Sequence, residues 1–202
     1  MPEAEPSNAP RSRAFAIRIV ATLAAVAVVG LAAFMLTNPP ERPRAALIGG
    51  AFALEDGAGK TISDQTLRGR PFLVYFGYTH CPDVCPTELA RISDILGRMG
   101  DRPIPALFIT VDPERDTPKV MQDYVSSFNP AIVGLSGSPQ AVEATEKTFR
   151  VFARKGKPQP DGDYSMDHSS IVYFMDKNGG FVEAFNVERP PEDAAKELEK
   201  YL

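Results

Sequence analysis

Cysteine and histidine are scarce in this chain: 202 residues hold two of each, Cys81 and Cys85, His80 and His168. So few cysteines exclude a disulfide-stapled scaffold, and a protein of this length needs no single bridge to hold it together. The chain also lacks any Lys/Arg stripe that could neutralise a row of phosphates, and its formal net charge is −4. Nucleic acid is therefore excluded as a partner. There is no internal repeat and no low-complexity tract beyond a short polar N-terminus. The length then reads as one ordinary domain plus an anchor.

Charge is missing altogether from residues 19–36, IVATLAAVAVVGLAAFML, a run just long enough to cross a bilayer core as a helix. Residues 14–17 extend it past Arg18, whose long side chain can snorkel to the headgroups. Arg11, Arg13 and Arg18 precede the apolar run, so the positive-inside rule predicts a cytoplasmic tail over 1–13, a transmembrane anchor over 14–36 and an exported remainder. A cleaved signal peptide ending near Gly30-Leu31-Ala32 is the alternative, but the run is longer than a usual h-region. Residues 37–46, TNPPERPRAA, read as a semi-rigid proline-rich linker, which leaves one folded domain over 47–202. Export puts the cysteines where disulfides are usual, yet two cysteines four residues apart close too small a loop to restrain the unfolded chain. Their purpose reads as chemical.

Within 47–202 the pattern alternates. Phe52–Leu54 and Lys60–Ile62 flank Gly57 and Gly59 as a hairpin. Pro71–Tyr78 and Ile104–Val111 are continuous apolar runs of strand length, as expected for strands covered on both faces. Between them, Leu89, Ile92, Leu96 and Met99 recur at helical spacing up to Gly100. Thr117-Pro118 and Ser138-Pro139 each place a capping residue before proline at the first helical position, predicting helices to about 128 and about 152. Residues 132–135 form a short strand, and 155–167 read as a polar loop. Strands at 171–175 and 181–185 flank a Lys177-Asn178-Gly179-Gly180 turn. A last helix follows Pro190, with Ala195, Leu198 and Leu202 inward. The fold class is α/β: a mixed sheet with helices on both faces, compatible with a thioredoxin-like fold.

The stretch Tyr78-Thr79-His80-Cys81-Pro82-Asp83-Val84-Cys85-Pro86 falls where a buried strand gives way to a helix, at the sheet edge where ligands bind in open α/β folds. Free amides at the helix start are expected to lower the thiol pKa. The spacing is C-x-x-x-C. Residues four apart on a helix lie about 5–6 Å apart at Cβ, too far for an unstrained disulfide but suitable for two sulfurs on one metal. A third ligand is wanted. His80 adjoins Cys81, would have to turn back sharply, and reads as a ring packed at the strand end. His168, just before the strand at 171–175, is by itself compatible with an ordinary surface histidine. Asp112 reads either as a partner orienting a ligand or, preferably, as a turn and cap residue; Met166 is a soft donor near His168 that reads as packing.

Val74–Leu89, VYFGYTHCPDVCPTEL, closely resembles the Sco/SenC family of copper-binding proteins that assist cytochrome c oxidase assembly. Thr110–Pro118, TVDPERDTP, and Asp167–Phe174, DHSSIVYF, match at the expected order and distance. The resemblance implies a thioredoxin-like domain in which Cys81, Cys85 and His168 bind one copper, Cu(I) or Cu(II). It further implies a metallochaperone working between a copper donor protein and the copper-receiving subunit of cytochrome c oxidase. Soft thiolates suit Cu(I), imidazole suits both oxidation states, and three protein ligands leave coordination open for exchange. A thiol–disulfide oxidoreductase that keeps the recipient's cysteines reduced is the second reading, with Cys81 attacking and Cys85 resolving. A peroxidase on the same fold has no feature that selects it. The short arginine-bearing N-terminus favours a bacterial inner membrane with the domain in the periplasm over a mitochondrial intermembrane space.

Overall fold

A computed structural model describes residues 48–159 and 162–202, together with 28 and 30. The chain divides into two units, Met1–Arg44 and Ala45–Leu202. The expected tail at 1–13, anchor at 14–36 and linker at 37–46 fall almost wholly outside the described residues. Among the described residues no helix is long and apolar enough to cross a membrane.

The domain opens with an antiparallel hairpin, β1 (Ala53–Glu55) and β2 (Thr61–Ser63). There follow β3 (Phe72–Gly77), α1 (Val84–Arg98), β4 (Ala106–Thr110), α2 (Pro118–Val125), β5 (Ile132–Leu135) and α3 (Pro139–Phe149). Two short strands, β6 (Ala153–Lys155) and β7 (Met166–His168), precede β8 (Val172–Met175), β9 (Phe181–Ala184) and α4 (Pro191–Glu199). The central sheet has the order β5-β4-β3-β8-β9, with β3, β4 and β5 parallel and β8 and β9 antiparallel to their neighbours.

Every residue of β3 and of β4 is buried, so both faces of the sheet centre are covered. On one face Phe149 of α3 lies against Phe76 and Tyr173 at 5.5 and 5.8 Å between ring centroids. On the other, Tyr75 stacks on Phe108, and Phe108 on Tyr124 of α2, at 5.7 and 5.8 Å. Helix α1 lies on this second face, burying Leu89, Ile92, Ile95 and Leu96. The expected mixed sheet with helices on both faces is therefore present. Thr117 and Ser138 cap α2 and α3 by accepting from Val120 N and Ala141 N.

Three expectations change. The presumed loop at 155–167 contributes Lys155 to β6 and Met166–Asp167 to β7, paired with Ala153 opposite His168 and Lys155 opposite Met166. Polar Arg154, Lys155, Asp167 and His168 hide the apolar alternation that marks a strand. Helices α2 and α3 end three residues early; Arg150 takes a left-handed conformation with φ 55° and stops α3. Leu202 is exposed, because α4 ends at Glu199 and its inward residues are Ala194, Ala195 and Leu198.

Glu146 on α3 is half-buried, and loss of hydration, with Glu143 nearby, pushes its carboxyl up to about 7. The folded protein keeps this proton where the unfolded chain has lost it, so stability falls as pH rises from the ordinary value of 4.5 to about 7. Glu146→Gln should raise the thermal midpoint near pH 8, by the equivalent of about 1–3 kcal/mol given partial exposure, and change it little near pH 4. Thermal melts at the two pH values check this; equal shifts would contradict it.

Candidate metal centre

After Gly77 the chain leaves the sheet and turns back on itself, with Cys81 N donating to Tyr78 O at 3.3 Å. Helix α1 starts at Val84, and the side chain of its N-cap Asp83 makes no capping bond. The Cys81 sulfur takes that part: Cys85 N donates to Cys81 Sγ at 3.3 Å. Pro86, the third helical residue, has no N–H to leave unpaired. Cys81 thus precedes the helix and Cys85 lies inside it, so the pair does not sit on one regular helical face. Both thiols are free, Cys81 half-buried and Cys85 wholly buried. The sulfur of Cys85 rests on the strand itself. A Cβ added at Gly77 would lie 2.8 Å from it and 2.7 Å from Phe108 Cε2, so only glycine fits there.

His168 comes to the same place from β7. Its Nε2 is 3.9 Å from Cys85 Sγ, its Nδ1 is 3.1 Å from Ser169 O, and its ring meets Tyr78 edge-on at 5.8 Å. A carbonyl oxygen can only accept, so Nδ1 carries the proton and Nε2 turns its lone pair toward Cys85. Burial lowers the His168 pKa, which keeps the ring neutral and able to ligate. Burial acts the other way on Cys85, pushing its thiol up to about 12, with the Cys81 sulfur as the next cause. The expectation that helix amides lower the thiol pKa fails for Cys85, since hydration lost at a fully buried sulfur outweighs them. A metal arriving here displaces a proton.

A first-row metal at about 2.3 Å from sulfur and about 2.0 Å from imidazole nitrogen spans a sulfur–nitrogen gap of roughly 3.5–4 Å for angles of about 110–125°. The 3.9 Å between Cys85 and His168 fits that span. Among the described residues no three or more His, Cys, Asp or Glu side chains already stand as a formed cage. The contacts run in sequence from Cys81 to Cys85 to His168. Cys81 and His168 line an open cavity of about 400 Å³, with Cys85 buried behind them. Met166 lines the same cavity as a strand residue. His80 stays out: it is exposed and faces Thr79 Oγ1 at 3.2 Å, rather than being packed at the strand end.

The segment after β4 positions both halves of the site. Asp116, fully buried, accepts from Thr79 N at 3.0 Å, Thr79 Oγ1 at 2.5 Å and Thr110 Oγ1 at 2.8 Å, fastening the cysteine loop. Asp112 O accepts from Arg115 N and Asp116 N, the turn reading. Its buried carboxylate binds Arg115 and accepts from Tyr164 Oη at 2.9 Å, reaching neither cysteine nor His168. The Arg115 guanidinium lies 3.7 Å from the Tyr164 ring centroid, and Lys155 Nζ lies 4.7 Å from it. These bonds tie down the segment leading into β7. Asp116 went unrecognised in sequence, although it lies within TVDPERDTP; a lone aspartate carries no sign of the three donors that converge on it.

The SCO1/SenC family model matches residues 40–202. An SCO2-like protein of Rickettsia felis is 35% identical over 199 residues, covering 92% of this chain and 95% of that one. Protein sco1 of Schizosaccharomyces pombe is 41% identical over 160 residues, 76% of this chain and 60% of that longer protein. The copper-bound structure of Bradyrhizobium japonicum ScoI is 52% identical, covers 77% of this chain and 99% of its own, and superposes with a TM-score of 0.74.

Asp116→Ala would leave the partly buried Thr79 amide and two hydroxyls without their acceptor, each such bond to a charged group being worth roughly 1.5–3 kcal/mol. The unfolding free energy should drop by about 3 kcal/mol or more. Urea unfolding measures it, and a drop below about 1 kcal/mol would show that Asp116 does not hold the loop.

Proposed function

The chain belongs to the SCO1/SenC family, and on that footing we propose that it is a copper metallochaperone anchored in the membrane by residues 14–36. Cys81, Cys85 and His168 hold one copper ion as cargo. The ion comes from a copper donor protein and passes to the copper-receiving subunit of cytochrome c oxidase during assembly. The domain works on the periplasmic face of a bacterial inner membrane.

One observation carries this reading: a neutral imidazole, held by Ser169, aims Nε2 at the buried Cys85 sulfur across 3.9 Å. The donor set of two sulfurs and one nitrogen suits copper in both oxidation states. Cys81, half-buried at the cavity wall, is the ligand a recipient's thiolate reaches first. Exchange then proceeds from the outside inward. Each incoming ligand replaces one outgoing ligand, and the ion is never left bare.

The two thiols are unequal, and this favours a second activity of the same residues, thiol–disulfide exchange. Cys81 is the accessible member and its sulfur accepts an N–H, whereas Cys85 is buried behind it. The Cys81 thiolate would attack the recipient's disulfide, forming a mixed disulfide and releasing one recipient thiolate. Cys85, giving up its proton, would then attack the Cys81 sulfur, closing a Cys81–Cys85 disulfide and freeing the recipient's second thiol. Two electrons pass to the recipient, leaving it ready to take copper.

His168→Ala separates the two activities. The variant should lose its stable Cu(II) spectrum and fail to support oxidase assembly, yet retain most of its disulfide-exchange rate. Cys81→Ser or Cys85→Ser should abolish tight copper binding, because a neutral hydroxyl replaces a soft anionic ligand. Absorption and spin-resonance spectra of the purified chain, run beside an oxidase assay in cells, test this. Unchanged Cu(II) spectra in His168→Ala would remove that ligand. Normal oxidase activity in the Cys81→Ser, Cys85→Ser double variant under limiting copper would sink the chaperone reading.

A further inference from the structure

Beneath Cys85 lies a polar atom that the assembled fold leaves unused. Tyr75 is 1% exposed, at the middle of β3, and its hydroxyl has no hydrogen-bond partner. Burying a hydroxyl unpaired costs free energy, and native cores avoid it. A phenylalanine would fill the same space at no such cost, since the ring already stacks on Phe108 at 5.7 Å. The hydroxyl therefore stands out as a group whose partner is missing from the folded, metal-free protein.

Its surroundings indicate that partner. Tyr75 and Gly77 are two apart on β3 and share one face of the sheet. Cys85 Sγ rests on that face, against Gly77 and Phe108. The Tyr75 ring stacks on Phe108, which borders the Cys85 sulfur at Gly77, yet its hydroxyl completes no hydrogen bond. A protonated thiol is a weak acceptor, and Cys85 already turns toward His168 Nε2. A metal-bound thiolate is a strong one, with free lone pairs and negative charge.

We propose that Tyr75 is a positioning residue for the metal centre, its hydroxyl donating a hydrogen bond to the Cys85 sulfur once that sulfur is a copper-bound thiolate. The inference rests on Cys85 being a copper ligand. The bond draws electron density from the sulfur, offsets part of the cost of a buried anionic ligand and orients its lone pairs. It forms on loading and is lost on release. Tyr75 thereby strengthens copper retention without touching the ion.

Tyr75→Phe in the full-length chain tests this, using Cu(I) in competition with a chelator and Cu(II) spectroscopy. The metal-free variant should melt at the same temperature as the parent or slightly higher, because an unpaired buried hydroxyl is gone. Cu(I) affinity should fall roughly tenfold to a hundredfold, the loss of one hydrogen bond to a charged acceptor. The sulfur-to-Cu(II) charge-transfer band should move to longer wavelength, because the sulfur is now the better electron donor. A purely structural role would not move that band. An unshifted band with unchanged affinity, beside a parent that binds copper normally, overturns the proposal alone. A parent that binds no copper overturns both the proposal and the functional reading beneath it. A metal-free variant melting several degrees lower shows that the hydroxyl was already partnered, and also overturns it.

Discussion

Two buried carboxylates four residues apart hold the site together. Asp116 takes three donors from the cysteine loop and β4, while Asp112 takes Arg115 from its own turn and Tyr164 from the segment leading into β7. The cysteines and His168 are 83 residues apart at their closest sequence separation, and no local rule brings them together. What aligns them is one short segment that follows β4, a strand paired along both of its edges. A rigid scaffold between two otherwise separate loops is the usual way for precise ligand geometry to be kept.

Burial then decides the chemistry. The same dry environment that raises the Cys85 thiol to about 12 lowers the His168 imidazole. Both effects favour the neutral partner, so the metal-free site is uncharged at Cys85 and His168. A metal bound at the Cys85 sulfur would take the place of its proton. Cys81 is the accessible thiol of the pair, and the capping bond from Cys85 N keeps its sulfur oriented without closing a disulfide.

Much of this was legible in the sequence because it follows from periodicity and capping. The apolar runs at β3 and β4, the helical spacing of Leu89, Ile92 and Leu96, and the Thr117-Pro118 and Ser138-Pro139 starts all appear as read. The β6–β7 pair was not legible, since its residues are mostly polar and its strands only three residues long. The three candidate ligands were visible as residues, and His168 was singled out by resemblance rather than by spacing. Asp116, Tyr75 and Gly77 were not visible as site residues. Their roles depend on which atoms face them across the fold: Thr79 for the first, the Cys85 sulfur for the other two. The direction of the Cys85 pKa is hidden in the sequence for the same reason. A helix start can be seen in a sequence, but the depth at which it is buried cannot.

The central claim, that two sulfurs and one nitrogen of this chain converge on one copper, is tested most directly by X-ray absorption of the copper-loaded, detergent-solubilised protein. The account predicts two sulfur scatterers at about 2.2–2.3 Å and one imidazole nitrogen at about 2.0 Å per copper. A first shell of oxygen and nitrogen alone, or a single sulfur, would contradict it.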